Sequence, residues 1–369
     1  MQDTFNFDFA AVFGADAAAA QAFSRELEPV RRGLGEARDG ASLQKMAAAI
    51  RALQRSALDH VPAHSLTRMI SALNDALTQQ VIEVVCAGMR EDASDWCWIA
   101  LGSEGRQEQT FSSDQDNGII FRNGGNADAQ RERLLPLALH INLMLADCGF
   151  TLCRGNIMAS NPECCLSQRE WSARFSEWMI EGDTQALLNA SIFFDFRALY
   201  GDGELERSLG AWLAVIAADN PRFLLQMSAN ALRRDAPLGL LGGFVLEKGG
   251  EFPGTIDLKL RAATLFVDAA RVFALACGSR ASNTADRLRQ AAHGRQLQED
   301  EVEKWIKAFH FIEMLRLKRQ QASEAHGQAM HNHIDPNRLE AGERHALLDA
   351  LHQARALQKR LAQAYLGSG

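Results

Sequence analysis

The sequence predicts an α+β protein in which a small strand-bearing unit is flanked on both sides by helices. Three observations carry this. Apolar residues recur at three- and four-residue spacing up to about residue 90 and again beyond Gln168. Between those stretches, "DWCWIALG" and "NGIIF" are apolar runs too short for helices and bounded by turn residues, so they read as strands. Finally, "GSEGRQEQTFSSDQDNGIIF", residues 102–121, concentrates glycine, serine and acid in a chain otherwise rich in alanine and leucine. The expected domains are a helical N-terminal segment 1–90, a strand-bearing unit 91–182 and a helical C-terminal domain 183–369.

In chain order, "SLQKMAAAIRALQRSALDHV" and "SLTRMISALNDALTQQVIEVVCAGM" are helical by period, with Ser42 and Ser65 placed as N-caps. The two short strands follow, joined by the polar loop. Then comes an amphipathic stretch, "AQRERLLPLALHINLMLADCG", and "FTLCRGNIM" reads as a third strand ending at the turn cluster "ASNPEC". Beyond Gln168 the pattern is helical almost throughout, including "TQALLNASIFFDFRALYG", with breaks at "GDG", "DNP", "DAPLGLLGG" and "KGGEFPG". No fixed-period repeat is visible, which predicts an irregular helical bundle.

Composition narrows the function classes. The 369 residues, 47% of them hydrophobic, suffice for two or three domains with cores of their own. A net charge of −7 gives no global attraction to phosphate backbones, so nucleic acid is a disfavoured partner. The seven cysteines form no C-x-x-C pair, which argues against a disulfide framework or a zinc ribbon. The acidic start lacks the features of a secretory leader, and no apolar run reaches the roughly 18 residues of a membrane span, so a soluble, cytoplasmic protein without a membrane partner is expected.

The polar loop carries the chemistry. Gly102, without a Cβ, lets a phosphate approach the backbone, and Ser103 adds a hydroxyl and an amide donor. Asp114 and Asp116, two apart at the start of a strand, present both carboxylates on one face, with Gln115 on the other. Paired carboxylates hold Mg²⁺, which takes one or two of them together with substrate phosphates. Two such ions would activate an attacking oxygen and stabilise a leaving pyrophosphate. A phosphate cradle beside a metal clamp points to nucleotidyl transfer from a nucleoside triphosphate.

Gly102-Ser103, ten intervening residues and Asp114-x-Asp116 resemble the signature of the polymerase-β-like nucleotidyltransferase superfamily. More closely, "LGSEGRQEQTFSSDQDNGIIF" resembles the nucleotidyltransferase domain found in bacterial signalling proteins beside CBS and cyclic-nucleotide-binding modules. That domain is similar to the uridylyltransferase that modifies the PII nitrogen-signalling protein. "CRGNIMASNPECCLSQREW", "FFDFRALYGD", "NALRRDAPLGLLGGFVLEKGGEF", "IDLKLRAATLFVDAARVFAL" and "LRLKRQQ" extend the resemblance over about Leu66 to Gln321. It implies a mixed sheet with flanking helices followed by a helical substrate-binding domain. It also implies transfer of a nucleoside monophosphate to an acceptor hydroxyl, on a regulatory protein. The sequence shows neither a CBS nor a cyclic-nucleotide-binding module.

Other residues have a functional and a plainer reading. Many superfamily members place a third carboxylate on a later strand, and "FTLCRGNIMASN" has none. Asp195 in "FFDFR" is a candidate third metal ligand, or else a buried acid paired with Arg197. Arg106 is placed to touch phosphates, oriented by Glu104 or Glu108, or to form an ordinary solvated pair. Lys259, with Arg261, is a candidate to neutralise triphosphate charge, or to snorkel from a half-buried face. "HGQAMHNHID", with His326, His331 and His333, reads as a polar interhelical turn in preference to a transition-metal site. The missing third acid also leaves a reading of another class: a nucleotide-sensing module with weak or no turnover.

Overall fold

A computed structural model describes residues 17–61, 63–112, 114–240, 242–294 and 297–367. Contacts divide the chain into two units, residues 1–176 with 192–210 and residues 177–191 with 211–369.

The first unit opens with helices α1 (Ala17–Glu36), α2 (Gly40–Ser56) and α3 (Ala63–Met89). The serines expected as caps lie inside their helices. Asp39 caps α2, its carboxylate accepting from the Ser42 amide at 2.8 Å, while the Ser42 hydroxyl accepts from the Asp39 amide in return. Ser65 is the third residue of α3 and buried. An aspartate three residues ahead of a serine makes the reciprocal box, which spacing alone does not distinguish from a serine cap.

β1 (Trp96–Ala100) and β2 (Asn117–Phe121) fall where the short apolar runs place them, and every residue of both is buried. They pair antiparallel from Trp96 opposite Phe121 to Ala100 opposite Asn117. Helix α4 (Ala127–Asp147) follows, its first amides accepted by the Asn126 side chain. The third strand is not "FTLCRGNIM". That stretch contributes one isolated bridge, Thr151 to Asp114, and the strand is β3 (Cys165–Ser167), parallel to β2. α5 (Gln168–Glu181) and α6 (Thr184–Phe193) lead to β4 (Arg197–Gly201), which the helical reading missed and after which comes α7 (Gly203–Ala218); β4 pairs antiparallel with β1 across a register shift at Trp98/Ile99. The sheet is thus mixed, in the order β3-β2-β1-β4.

α3 packs against α2, α4 and β4, and α4 against β3. Trp171 fixes α5 to the sheet, its indole N–H donating to the Ile119 carbonyl at 2.9 Å. Its ring joins Phe175 and Phe193 in an aromatic cluster.

The second unit is helical around α9 (Thr264–Ala276), which is buried on nearly every side and therefore central. It packs against α8 (Pro221–Ala231), α10 (Thr284–His293) and α12 (Ala341–Tyr365), and α12 also packs along α11 (Glu299–Ala325). A π-helical turn, Lys259–Ala263, precedes α9. A two-stranded ribbon of β5 (Ile256–Asp257) and β6 (His333–Ile334) completes the unit. No helix among the described residues is long and apolar enough to cross a membrane.

Candidate active site

The loop between β1 and β2 is closed at its base. The Leu101 amide donates to the Asp116 carbonyl at 2.8 Å, which continues the β1–β2 pairing by one step. The chain then turns through a four-residue helical segment, Gly102–Gly105, entered with Gly102 at φ +54°. A Cβ at Gly102 would stand 3.2 Å from Asp116 Oδ2. The glycine therefore does two things: it takes the left-handed conformation and it leaves room for a carboxylate against the turn. The Ser103 carbonyl accepts from the Glu108 amide at 2.9 Å, which holds the turn closed.

The alternation at Asp-x-Asp is present. Gln115 is buried, whereas Asp114 is exposed and Asp116 half-buried. Gln115 is locked by α4, donating to the Asn142 carbonyl at 3.0 Å and accepting from the Asn142 amide at 2.8 Å. Asn142 also donates to Asn117 Oδ1 at 3.0 Å. Every second residue of this strand start is thus a buried polar anchor, which fixes the intervening carboxylates on the open face.

Beneath the turn lies a charged cluster that the sequence did not disclose. Arg197 on β4 donates to Asp75 of α3 at 3.0 Å and to the Glu104 carbonyl at 3.2 Å, and its buried Nε has no acceptor. Glu104 is buried and lies beside Asp116. Burial first, and then repulsion from Asp75, push it up to about 8, against the attraction of Arg197; Asp116 adds repulsion. Cys153 is near Asp116 as well; burial, then the Asp116 charge, raise its thiol above the usual range. Among the signals available, only Asp75 was conspicuous, as an acid in the apolar period of "SALNDALT". A lone cysteine and an arginine at the end of an aromatic run gave none.

Because the folded protein holds the Glu104 proton more tightly than the unfolded chain does, this group's contribution to stability is full below the ordinary carboxylate range. It is lost as pH rises through about 8. Glu104→Gln removes that titration while keeping the size and shape of the side chain. We expect thermal midpoints measured from about pH 6 to about pH 9 to fall in the wild type and to flatten in the variant, an effect on the order of a few kcal/mol. Parallel curves would contradict it.

The remaining candidates are placed as follows. Arg106 is held by two acids, Nε to Glu108 Oε2 and Nη1 to Asp195 Oδ2, each at 2.7 Å. Asp195, fully buried, is therefore the partner of Arg106, and the pairing with Arg197 does not occur; Arg197 turns to Asp75 at 2.9 Å. Glu108, and not Glu104, orients Arg106. Lys259 lies in the second unit, exposed at the start of the π-helical turn. Among the described residues no group of three or more His, Cys, Asp and Glu gathers as a metal centre. The donor set at the neck still suits a hard divalent cation. Two carboxylate oxygen donors stand on one open face, and Mg²⁺ takes one or two carboxylates plus substrate phosphates.

The family described as "Putative nucleotidyltransferase DUF294" matches residues 44–185, and that described as "Putative nucleotidyltransferase substrate binding domain" matches residues 221–365. No curated protein matches the chain. The first span takes in α3 and β1 to β3, so Asp75, the turn at Gly102 and both carboxylates fall within it, while Asp195 and β4 with Arg197 lie beyond. The transfer domain and the domain that holds its substrate thus succeed one another along one polypeptide, and the chain belongs to this nucleotidyltransferase family.

Proposed function

We propose that the chain transfers a nucleoside monophosphate from a nucleoside triphosphate to an acceptor hydroxyl, by in-line attack at the α-phosphorus with pyrophosphate leaving. The observation that carries this is the neck of the loop, where Asp116 rests against a glycine held at φ +54° and Asp114 opens to solvent on the same strand face. Asp114 and Asp116 would hold Mg²⁺, which when bound neutralises phosphate charge and polarises the reacting oxygens. Gly102 admits the phosphates to the backbone, and Ser103 supplies a hydroxyl and an amide to orient them. Glu104, buried beside Asp116, we read as backing for the turn that carries the aspartate. Asp195 we read as the counter-ion of Arg106 rather than a metal ligand. Arg106, carried on the same turn, would reach the phosphates only by exchanging one of its two carboxylate partners. Lys259 remains our candidate from the helical domain.

For the acceptor we assign a hydroxyl on a regulatory protein, on the resemblance to the uridylyltransferase of the PII protein. The test is to incubate the purified chain and a cell lysate with α-labelled nucleoside triphosphates and Mg²⁺. We expect label in a protein band and release of pyrophosphate. Asp195 being engaged by Arg106 favours a second reading, occupancy without turnover. Nucleotide that binds and raises the melting midpoint with neither labelled product nor pyrophosphate would select that reading over ours.

A further inference from the structure

The helical domain holds a second concentration of chemistry, at the histidines of "HGQAMHNHID". These do not form a simple turn. β6 sets His333 opposite Asp257 of β5, and Phe252 stacks on the His333 ring at 4.3 Å and 22°. The His331 ring lies 4.4 Å from the same phenylalanine on a tilt of 35°. Together with Lys318 and Arg319 of α11 they line a cleft of about 610 Å³, a volume in the range of small-molecule sites.

Arg319 is the anomaly in this cleft. Among the described residues no carboxylate pairs with it; its guanidinium points Nη2 at His331 Nε2, 2.7 Å away, and its buried Nε has no acceptor. His331 cannot satisfy what surrounds it either, because the backbone amide of His333 donates to its Nδ1 at 3.1 Å. Both ring nitrogens thus face donors. A neutral imidazole has one acceptor nitrogen, and a flipped ring would set a C–H against each donor. Burial first, and then the Arg319 charge, hold His331 below its ordinary range against the opposing charge of Glu251, and in a neutral ring that faces two donors the one N–H has no acceptor. An anion beside Arg319 resolves both problems. It would accept from the guanidinium, and the His331 proton, moved to Nε2, would donate to it while Nδ1 keeps the His333 amide.

We propose that this cleft binds a phosphate-bearing ligand, gripped by Arg319 with His331 donating beside it and Phe252 forming an aromatic wall. The guanidinium fork and the imidazole N–H present three donors from two directions; a phosphate can meet each with a separate oxygen, whereas a carboxylate would have to share one oxygen between the fork and the imidazole. Lys318 stands at the rim, already paired with Glu343 at 2.9 Å. All of these residues belong to the helical unit, so the proposal stands independently of nucleotidyl transfer.

The test is a titration of the full chain, with ¹³C-labelled histidine rings, by inorganic phosphate and separately by adenosine monophosphate, at constant pH and ionic strength. The His331 and His333 signals, assigned by single substitutions, should shift saturably with at least one probe. Tighter binding of the nucleotide would identify a nucleoside phosphate as the ligand, and equal binding the phosphate group alone. Arg319→Gln should weaken the interaction at least about tenfold. Arg319→Lys, which keeps the charge and loses the fork, should weaken it too and serves as the deciding variant should the glutamine one not fold. The Asp114→Asn/Asp116→Asn protein should bind as the wild type does, which separates this site from the neck of the loop. Histidine signals unmoved by both probes, or moved equally in the folded arginine variants, overturn the proposal.

Discussion

Replacing Asp114 and Asp116 together by asparagine is expected to lower label transfer by at least about a thousandfold and to leave the fold intact. Asparagine keeps the shape of aspartate and removes its charge, so the loss falls on whatever the two carboxylates hold. The strand itself does not depend on them. Its anchors are Gln115 and Asn117, bound to Asn142 of α4, and the backbone bond from Leu101 to Asp116. Removing the Asp116 charge also relieves the repulsion on buried Glu104, so stability should hold or rise slightly. The measurement pairs a transfer assay with a thermal unfolding curve of the same sample. Activity retained in a folded double variant would sink the assignment of these two residues as the metal-holding pair.

Gly105→Ala should have the largest effect on stability of any conservative change at the site. A Cβ there would stand 1.9 Å from the Asp195 carbonyl oxygen and 2.9 Å from that of Ala100. Both obstacles are backbone, one at the end of β1 and the other just before β4, so no rotamer change clears them. Either the helical turn lifts away or the two segments part. We expect a cost of about 3–5 kcal/mol and a melting midpoint lower by roughly 10 °C, followed by circular dichroism. Gly35 in α1 is the control, since a Cβ there meets nothing within 4 Å. Equal midpoints for the two alanine variants would show that the turn is not packed as described.

The two central strands were legible because each is a short apolar run with turn residues at both ends, and the face of each aspartate followed from strand alternation alone. β4 was not legible. "RALYG" continues the apolar and aromatic run of "SIFFDF", and it becomes a strand through pairing with β1, a partner about 100 residues earlier. β3 was misplaced for a related reason: "FTLCRGNIM" has strand composition, yet the backbone amides of Gln115 and Asn117 each donate only one bond to it, at the Thr151 and Ile157 carbonyls. The ion pairs were beyond sequence reasoning altogether. Asp195 and Arg197 are two apart, a spacing that on one strand would put both on one face, but β4 begins only at Arg197 and Asp195 lies in the bend before it, so each meets a partner from another element, Arg106 and Asp75. The third carboxylate near the neck, Glu104, was visible only as a helper for Arg106. Its burial, which sets its chemistry, depends on α3 and β4 closing over it.

The closed neck also bears on how such a site is searched for. Gln109 is tied back to α3, its amide donating to Ser71 at 3.1 Å, so the loop body is anchored and its exposed turn lies at Ser112. The distance between Gly102 and Asp116 is set by their own contact, and past the Gln109 anchor the exposed stretch about Ser112 only has to return the chain to the strand. Lengthening the chain beside Ser112 would carry little beyond loop-closure entropy, about 0.6 kcal/mol for each doubling of length. A fixed count of residues between the glycine–serine pair and the aspartates is therefore a narrower criterion than the geometry imposes. Sequences with a longer insertion there can hold the same neck, and a search keyed to spacing alone would pass over them.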